Sequence, residues 1–389
     1  MKLMQKLLAA AVLAALSTPA FAEISFDVIG GSEVTFEGLL QADTYWYNSD
    51  VANLNAATGD GEEDFDFRRA ELIFKGKGPG QWNWVVGYDA KDKKFLDANI
   101  QYKFTGFTSV TVGQFKQPNS LEELSSTRHN DFISKAMNTN MQGIARRMGV
   151  GVTTGGDDWT VTGSWFTREM TRNRAGGDGF GVRGAWAPIL NEGGFLHLGL
   201  SYVDFEAADY TQAINANRDN KARLRVRPDA DITGVRLVDT GTFTDADRIR
   251  TWGAEASWVH GPLKIQGEYM GTRISRTAHD NFSGNGWYVS GVWNVTGETW
   301  TWKNGTIATP LPNDPSKGMW QLGLRYDRVD LNDGLVYGGT EHNLIVGANY
   351  YWHSNFKFAL NYVKVNSERG LIPINDDPSI IEFRAQIYW

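Results

Sequence analysis

Apolar and polar residues alternate along most of this chain. Between Val34 and Trp46, apolar side chains occupy most of the even-numbered positions, and polar side chains such as Glu37 and Asp43 lie between them. Successive side chains of a β-strand point to opposite faces, so this period predicts strands with one apolar and one polar face. The apolar rows of the sixteen such segments lie at 34–46, 70–74, 82–88, 96–102, 110–112, 148–152, 159–165, 180–186, 196–202, 252–258, 263–269, 289–295, 320–326, 344–352, 356–362 and 381–389.

The number and character of these segments favour a transmembrane β-barrel over a secreted all-β domain. Their number is even, aromatic residues recur at the ends of the apolar rows, and the opposite face is polar. The interior of a soluble barrel of this size would need large apolar side chains. We therefore expect an all-β fold, a 16-stranded antiparallel transmembrane β-barrel, with polar side chains around a water-filled lumen. The residues assigned to this inner face include Arg69, Glu71, Lys75, Asn83, Asp89, Gln101, Lys103, Arg183, Lys264, Glu268, Arg325 and Arg384.

The connections between segments alternate in length. Those at 77–80, 106, 155–158, 260–262 and 353–354 are short and predict periplasmic turns, whereas those at 48–63, 117–143 and 206–247 are long and predict extracellular loops. The segment 296–317 is an exception, because it is long and falls on the periplasmic side. Periodicity alone gives no reason for its length.

Composition and charge narrow the class further. The chain has 389 residues, no cysteine and a net charge of -7. Its mean hydropathy of -0.38 excludes a bundle of transmembrane helices, each of which needs about 20 apolar residues. The apolar stretch Leu7 to Leu16 follows Lys2 and Lys6 and precedes Ala20-Phe21-Ala22, which predicts a signal peptide at 1–22 and a barrel at 23–389. Without the signal, 36 basic and 45 acidic residues give -9, so nucleic acid is not an expected partner.

No catalytic or cofactor motif is present in the sequence. The six histidines are scattered, and the H-E-x-x-H, G-x-S-x-G, Walker A and EF-hand patterns are absent. An acidic cluster at 60–66 matches no metal-ligand spacing, so a solvated loop is favoured there. We expect no enzyme activity, no cofactor and no metal, although an outer-membrane hydrolase that assembles its site from separate strands stays an alternative.

Two long connections carry an excess of positive charge. Between Lys116 and Arg147, five cations face three acids, and Ser120-x-x-Glu123 predicts the start of a short helix. Such a loop can fold into the lumen and set selectivity, and the alternative is an external loop that covers the mouth. In the later loop, four cations occupy alternate positions, which in an extended segment places them on one face about 7 Å apart. These are Lys221, Arg223, Arg225 and Arg227.

A row of guanidinium groups of this kind offers successive bidentate contacts for phosphate oxygens. The alternative is a loop edge that binds lipopolysaccharide phosphates or stays solvated.

Several motifs resemble the phosphate-selective porins O and P of Gram-negative outer membranes, and the resemblance runs over essentially the whole mature chain. The connection after Val295-Thr296-Gly297-Glu298-Thr299, long and Pro-containing, also resembles the family and accounts for the exception at 296–317. The other motifs are Phe67-Arg68-Arg69-Ala70-Glu71-Leu72, Val112-Gly113-Gln114-Phe115-Lys116-Gln117-Pro118 with Ser120-Leu121-Glu122-Glu123, Arg146-Arg147-Met148-Gly149-Val150, and Leu322-Gly323-Leu324-Arg325-Tyr326-Asp327 with Asp330-Leu331-Asn332-Asp333.

The resemblance implies a homotrimeric channel with an inward-folded third loop and a central anion site, approached through an arginine ladder from outside. The row from Lys221 to Arg227 resembles that ladder. The chain departs from phosphate-specific members in the third loop, where Glu123 and Ser134-Lys135 occupy positions at which those members tend to have Lys and Glu-Arg. The residues most similar to the central site are Arg68, Arg69, Asp89, Ser125, Ser126 and Arg128, to which we add Lys135.

The predicted function is passive diffusion of anions, phosphate or polyphosphate above all, through an outer-membrane porin. The expected partners are inorganic phosphate or other small anions, outer-membrane lipid and lipopolysaccharide, and two further copies of the chain. A general-diffusion porin with weak or no anion selectivity is the alternative, because acids such as Glu37, Asp43 and Glu382 also lie on the predicted inner face.

Overall fold

The computed structural model describes residues 24–28, 32–55, 62–171, 177–207 and 220–389, so the predicted signal peptide lies outside the described residues. Within them, all sixteen predicted segments are long strands of one antiparallel sheet. Numbered in chain order, they are β1 (Ser32–Asn48), β2 (Glu63–Lys77), β3 (Trp82–Asp89), β4 (Lys94–Lys103), β5 (Ser109–Lys116), β6 (Arg146–Gly155), β7 (Trp159–Phe166), β8 (Gly179–Asn191), β9 (Gly194–Glu206), β10 (Ala246–His260), β11 (Leu263–Arg276), β12 (Phe282–Asn294), β13 (Met319–Asp333), β14 (Val336–Trp352), β15 (Phe356–Arg369) and β16 (Ser379–Tyr388).

Pairing of the first long strand with the last closes the sheet into a barrel. The register of β1 and β16 runs from Leu39↔Tyr388 to Asn48↔Ser379. Closure leaves no long exposed edge that could pair with another chain. The predicted 16-stranded antiparallel barrel is therefore confirmed. Two short strands extend the same sheet, Ile24–Val28 beside β1 and Ile374–Asp376 beside β15.

The outer face is apolar, as the alternation predicts. Side chains such as Leu200 and Leu324 are 70% and 53% exposed on the described surface. Tryptophans are grouped near the end of the barrel where β1 begins, here called the periplasmic end. This arrangement is typical of the aromatic girdle at a membrane interface. None of the described helices is long and apolar enough to cross a membrane. The tryptophans of the periplasmic group are Trp82, Trp159, Trp186, Trp258, Trp293 and Trp320.

The third loop, residues 117–145, folds into the lumen. It contains the short helices α1 (Leu121–Leu124) and α2 (Met137–Gln142) and a 3-10 turn, Thr127–His129. Ser120 caps α1 by accepting a hydrogen bond from the Glu123 amide at 3.2 Å, so the predicted helix start is confirmed. The Glu123 side chain does not complete a capping box, since it contacts Lys135.

Inward side chains of distant strands hold this loop through its backbone. Arg325 of β13 and Arg384 of β16 donate to carbonyl oxygens of the loop at 2.9 and 2.8 Å. Lys357 of β15 donates to another of its carbonyls, and Glu268 of β11 accepts from the Leu121 amide at 2.9 Å. The loop leaves the barrel wall after β5 and contacts β11, β13, β15 and β16, so it crosses the lumen.

Two further segments enter the lumen. From the extracellular side, the fifth loop (residues 207–245, with 208–219 outside the described part) places Asp229 against Arg325 at 2.9 Å. From the periplasmic side, the long segment 295–318 forms a small hairpin of Thr301–Lys303 and Thr306–Ala308. Thr309 donates to the His129 carbonyl at 3.3 Å, so this segment meets the third loop. The length of the segment is explained by its position inside the barrel.

These three segments change one expectation about the lumen. Several inner-face residues predicted to be hydrated are buried, including Arg325 at 1% exposed and Arg384 at 4%. The physical reason is that loop backbone and loop carboxylates occupy the space that water was expected to fill, so these guanidinium groups are satisfied by protein atoms. Among the described residues, cavities lie on both the extracellular and the periplasmic side of the third loop.

Candidate functional site

A β-bulge turns two neighbouring arginines of β2 toward the lumen. The register with β1 passes from Gln41↔Arg69 to Ala42↔Phe67, so no residue of β1 is paired with Arg68 in the backbone register. In a regular strand Arg68 and Arg69 would point to opposite faces. The extra residue of the bulge re-aims one side chain, and both arginines line the same cavity.

This cavity, which we call the central cavity, lies between the third loop and the wall formed by β2 to β6, and it measures about 190 Å³. Its described lining contains seven cationic side chains and two carboxylates. The cations come from β2, the starts of β4 and β6, the end of β5, the third loop and β16. Its charged lining residues are Arg68, Arg69, Lys94, Lys116, Lys135, Arg146, Arg384, Glu123 and Asp231.

The two lysines nearest α1 are held by the loop itself. Lys135 Nζ lies 2.5 Å from a carboxylate oxygen of Glu123, and Lys116 Nζ donates to the backbone carbonyls of Glu123 and Ser125. Burial alone would raise the pKa of the Glu123 carboxyl, but the charges of Lys135 and Lys116 lower that pKa to about 2. Glu123 is therefore ionised at neutral pH and forms an ion pair with Lys135.

Arg68 and Arg69 have more N–H donors than their ion pairs use. Arg68 donates to Asp231 through Nε at 3.0 Å, and Arg69 donates to Glu71 through Nη1 at 3.0 Å. A guanidinium group has five N–H donors, so each of these bonds uses one of them. Cationic donors arranged around a small cavity can replace part of the hydration shell of an oxyanion, which is the usual basis of anion recognition in pores.

The structure brings three of the seven predicted central residues together, Arg68, Arg69 and Lys135, and places the other four elsewhere. Asp89 is buried at the end of β3, where its carboxylate accepts from the amides of Ala70 and Lys91 and holds a tight turn. Its hydrogen bonds therefore stabilise the wall, and it does not line the cavity.

The remaining three lie on the periplasmic side of the third loop. Ser125 and Ser126 line a second cavity of about 350 Å³, between the third loop and the segment 295–318. The Ser125 hydroxyl donates to the Leu121 carbonyl at 2.8 Å. Arg128 pairs with Glu37 of β1 at 2.8 Å. These side chains are consequently separated from Arg68 and Arg69 by the loop that carries them.

The cationic row of the fifth loop has the predicted alternation. Residues 222, 224 and 226 are buried, whereas Arg223 and Arg225 between them are exposed. Arg225 begins a two-residue strand, Arg225–Val226, that pairs with Val238–Asp239. Arg223 forms a bidentate pair with Asp239, and Arg227 donates to the Thr233 carbonyl at 2.6 Å. Lys221 is half-buried. The row is thus one face of a folded ribbon, and its members differ in how much of their charge is compensated.

Four cations of the central cavity were missing from the predicted site: Lys94, Lys116, Arg146 and Arg384. The sequence carried a partial signal for three of them, because Arg384 occupies an inner-face position and Lys116 and Arg146 lie at the ends of the strands that flank the third loop. Lys94 follows a turn and had no such signal. Among the described residues, no group of three or more His, Asp or Glu side chains converges as a metal site.

Comparison with known proteins agrees with this architecture. The family model for phosphate-selective porin O and P matches residues 42–389. Porin O of Pseudomonas aeruginosa is 25% identical over 353 residues, which cover 78% of this chain and 77% of the relative.

Solved structures share the fold at low sequence identity. The trimer form of OmpT of Vibrio cholerae has a TM-score of 0.57 at 11% identity, covering 92% of this chain and 99% of that one. The anion-selective porin from Comamonas acidovorans has a TM-score of 0.55 at 13% identity, covering 92% and 100%. The protein is an outer-membrane porin, and the chain belongs to the phosphate-selective porin O and P family.

Proposed function

We propose that this porin is a passive, anion-selective channel whose central cavity binds phosphate or a similar oxyanion during passage. The observation that supports the proposal is that the lining of the central cavity contains seven cationic side chains and two carboxylates. A small oxyanion meets several charge-assisted donors there at once, which strengthens its binding over that of a halide. No energy input is required, because the anion moves down its gradient.

The row of the fifth loop would act before the cavity. Lys221, Arg223, Arg225 and Arg227 lie on the extracellular side, and Arg225 is exposed. A cluster of one sign of charge at a pore mouth raises the local concentration of counter-ions. We assign these four residues to capture and Arg68, Arg69, Lys94, Lys116, Lys135 and Arg146 to binding. Arg384 lines the cavity, but its guanidinium pairs with Asp43 and donates to the third loop, so it contributes charge only.

A general-diffusion porin is the second candidate function, and one observation favours it. Many lumen cations already have acidic partners, for example Arg146 with Asp97 at 2.7 Å and Lys264 with Asp131 at 2.7 Å. If compensation of this kind extends to the whole path, small anions and cations would pass with similar ease.

Reversal potentials in a KCl gradient across planar bilayers distinguish the two functions. We expect a potential of the sign that indicates chloride preference, together with inhibition of the chloride current by inorganic phosphate. Arg69→Gln should weaken the inhibition several-fold. Lys75→Gln is a matched control, because Lys75 lies on the same strand and face but pairs with Glu37 outside the central cavity. Absence of chloride preference and of phosphate inhibition in the wild-type protein would favour general diffusion.

We also propose that the working assembly is a homotrimer anchored in outer-membrane lipid and lipopolysaccharide, after export directed by residues 1–22. The apolar outer face and the trimer form of OmpT support this proposal. Unheated detergent extracts should migrate as a trimer-sized band that converts to monomer on boiling. Recovery of monomer alone after crosslinking in mild detergent would contradict it.

A further inference from the structure

One of the two carboxylates in the central cavity comes from the fifth loop. Asp231 reaches down from the extracellular side and places Oδ2 3.0 Å from Arg68 Nε and 3.8 Å from Arg384 Nη2. Its side chain is 14% exposed, and it lines the same cavity as both arginines. A carboxylate group of the protein therefore sits where the charge of an entering anion would be attracted.

The position of Asp231 does not depend on this ion pair, because the loop is fixed on both sides of it. Two residues earlier, Asp229 pairs with Arg325 at 2.9 Å and accepts from Asn343 at 2.8 Å. Two residues later, the Thr233 hydroxyl donates to the Leu54 carbonyl at 2.6 Å. The carboxylate is consequently held at the arginines by anchors that would remain if its charge were removed.

Asp231 is charged whenever an anion arrives. Burial by itself raises the pKa of its carboxyl, but the charges of Arg68 and Arg384 hold the pKa below its usual value. Glu123, the other carboxylate of the cavity, is engaged with Lys135 at 2.5 Å. Asp231 is therefore the carboxylate that competes for Arg68.

We propose that Asp231 is a tethered competitor that weakens anion binding in the central cavity and so sets the rate of anion release. An oxyanion bound at Arg68 must share this guanidinium with the carboxylate and experiences its negative charge at close range. A pore that bound oxyanions without this competition would hold them longer and pass fewer of them. The inference rests on the proposed anion-binding function and identifies the residue that limits its affinity.

The test is titration of the chloride current with inorganic phosphate in planar bilayers, comparing wild-type protein with Asp231→Asn. Removing one negative charge beside the site should lower the half-inhibiting phosphate concentration by about tenfold, since a unit charge a few ångströms away changes binding by one or more kcal/mol at a partly buried site. A gain in affinity is a useful readout, because structural damage would not produce it.

Three variants make the result specific. Asp245→Asn removes an equal charge from the same loop, but Asp245 pairs with Arg276 outside the cavity and should leave the inhibition unchanged. Asp231→Glu keeps the charge, so its half-inhibiting phosphate concentration should lie closer to the wild-type value than that of Asp231→Asn. In an Arg68→Gln background, the effect of Asp231→Asn should shrink.

Failure of this inference is distinguishable from failure of the proposed function. A wild-type channel that prefers chloride and is inhibited by phosphate, with the same inhibition in Asp231→Asn, would overturn the role of Asp231 alone. An equal gain in Asp245→Asn would also overturn it, because the effect would then be one of general charge. A wild-type channel without chloride preference or phosphate inhibition would reject the function itself.

Discussion

Arginines at two levels of the pore serve the protein in different ways. In the lumen, Arg325 is 1% exposed, pairs with Asp229 and Asp327, and donates to a carbonyl of the third loop. In the fifth loop, Arg225 is exposed at the mouth. The side chain is the same, but burial and pairing commit the first to holding the fold, whereas the second is exposed to solvent. The charge of a residue therefore predicts its role only when its surroundings are known.

The largest expected effect comes from removing the buried partner. Arg325→Ala leaves Asp229 and Asp327 without their cation and should destabilise the protein by about 3–5 kcal/mol. Arg225→Ala, the matched exposed variant, should change stability by no more than about 0.5 kcal/mol. Thermal unfolding in detergent, followed by circular dichroism, measures both. Equal midpoints for the two variants would contradict the division of roles.

A buried histidine of the third loop shows how burial of a titratable side chain makes stability depend on pH. Burial, with the charges of Lys357 and Arg128, lowers the pKa of His129 to about 3. The folded state therefore resists protonation, and stability should be complete above pH 6.5 and fall as the pH drops toward 3. His129→Gln should reduce the loss between pH 7 and pH 4.5 by about 2–3 kcal/mol, measured by thermal unfolding at both values. Parallel losses in the two proteins would show that His129 takes up its proton equally in both states.

Deleting most of the third loop, which buried arginines hold in the lumen, should change the conductance of the channel. Removal of Leu121 to Asn140 takes away α1, the 3-10 turn and most of α2 from the lumen. We expect single-channel conductance to rise several-fold and anion preference to weaken, because both the obstruction and Lys135 are lost. An unchanged conductance would mean that the third loop does not limit the current.

The smallest expected effect is at the mouth. Replacing Arg223, Arg225 and Arg227 with Ala should lower anion conductance at low salt by about twofold and have little effect at 1 M salt, where the screening length is about 3 Å. Arg225→Ala should account for most of this change, because Arg223 is already paired with Asp239. Conductance measured across a salt series tests the prediction. Wild-type selectivity of the triple variant at low ionic strength would reject a capture role for the row.

Alternation was sufficient to predict the barrel, because each of the sixteen rows reports which face of a strand meets lipid. It could not predict the central cavity to the same degree. Arg68 enters the lumen only through the bulge opposite Gln41, and alternation assigns it to the outer face. Asp231 and Arg68 are 163 positions apart, and loops have no period that would reveal such a contact. Family resemblance supplied Arg68 and Arg69, but it also supplied Asp89, whose carboxylate stabilises a turn.

The last strand has a consequence for how this protein is assembled. β16 completes the wall by pairing with β1, and its Arg384 and Gln386 donate to backbone carbonyls of the third loop. One strand thus joins the seam of the barrel and holds the third loop in the lumen. Closure of the barrel and placement of the third loop therefore depend on the same strand, because β16 supplies both the pairing with β1 and two of the hydrogen bonds that hold the loop in the lumen.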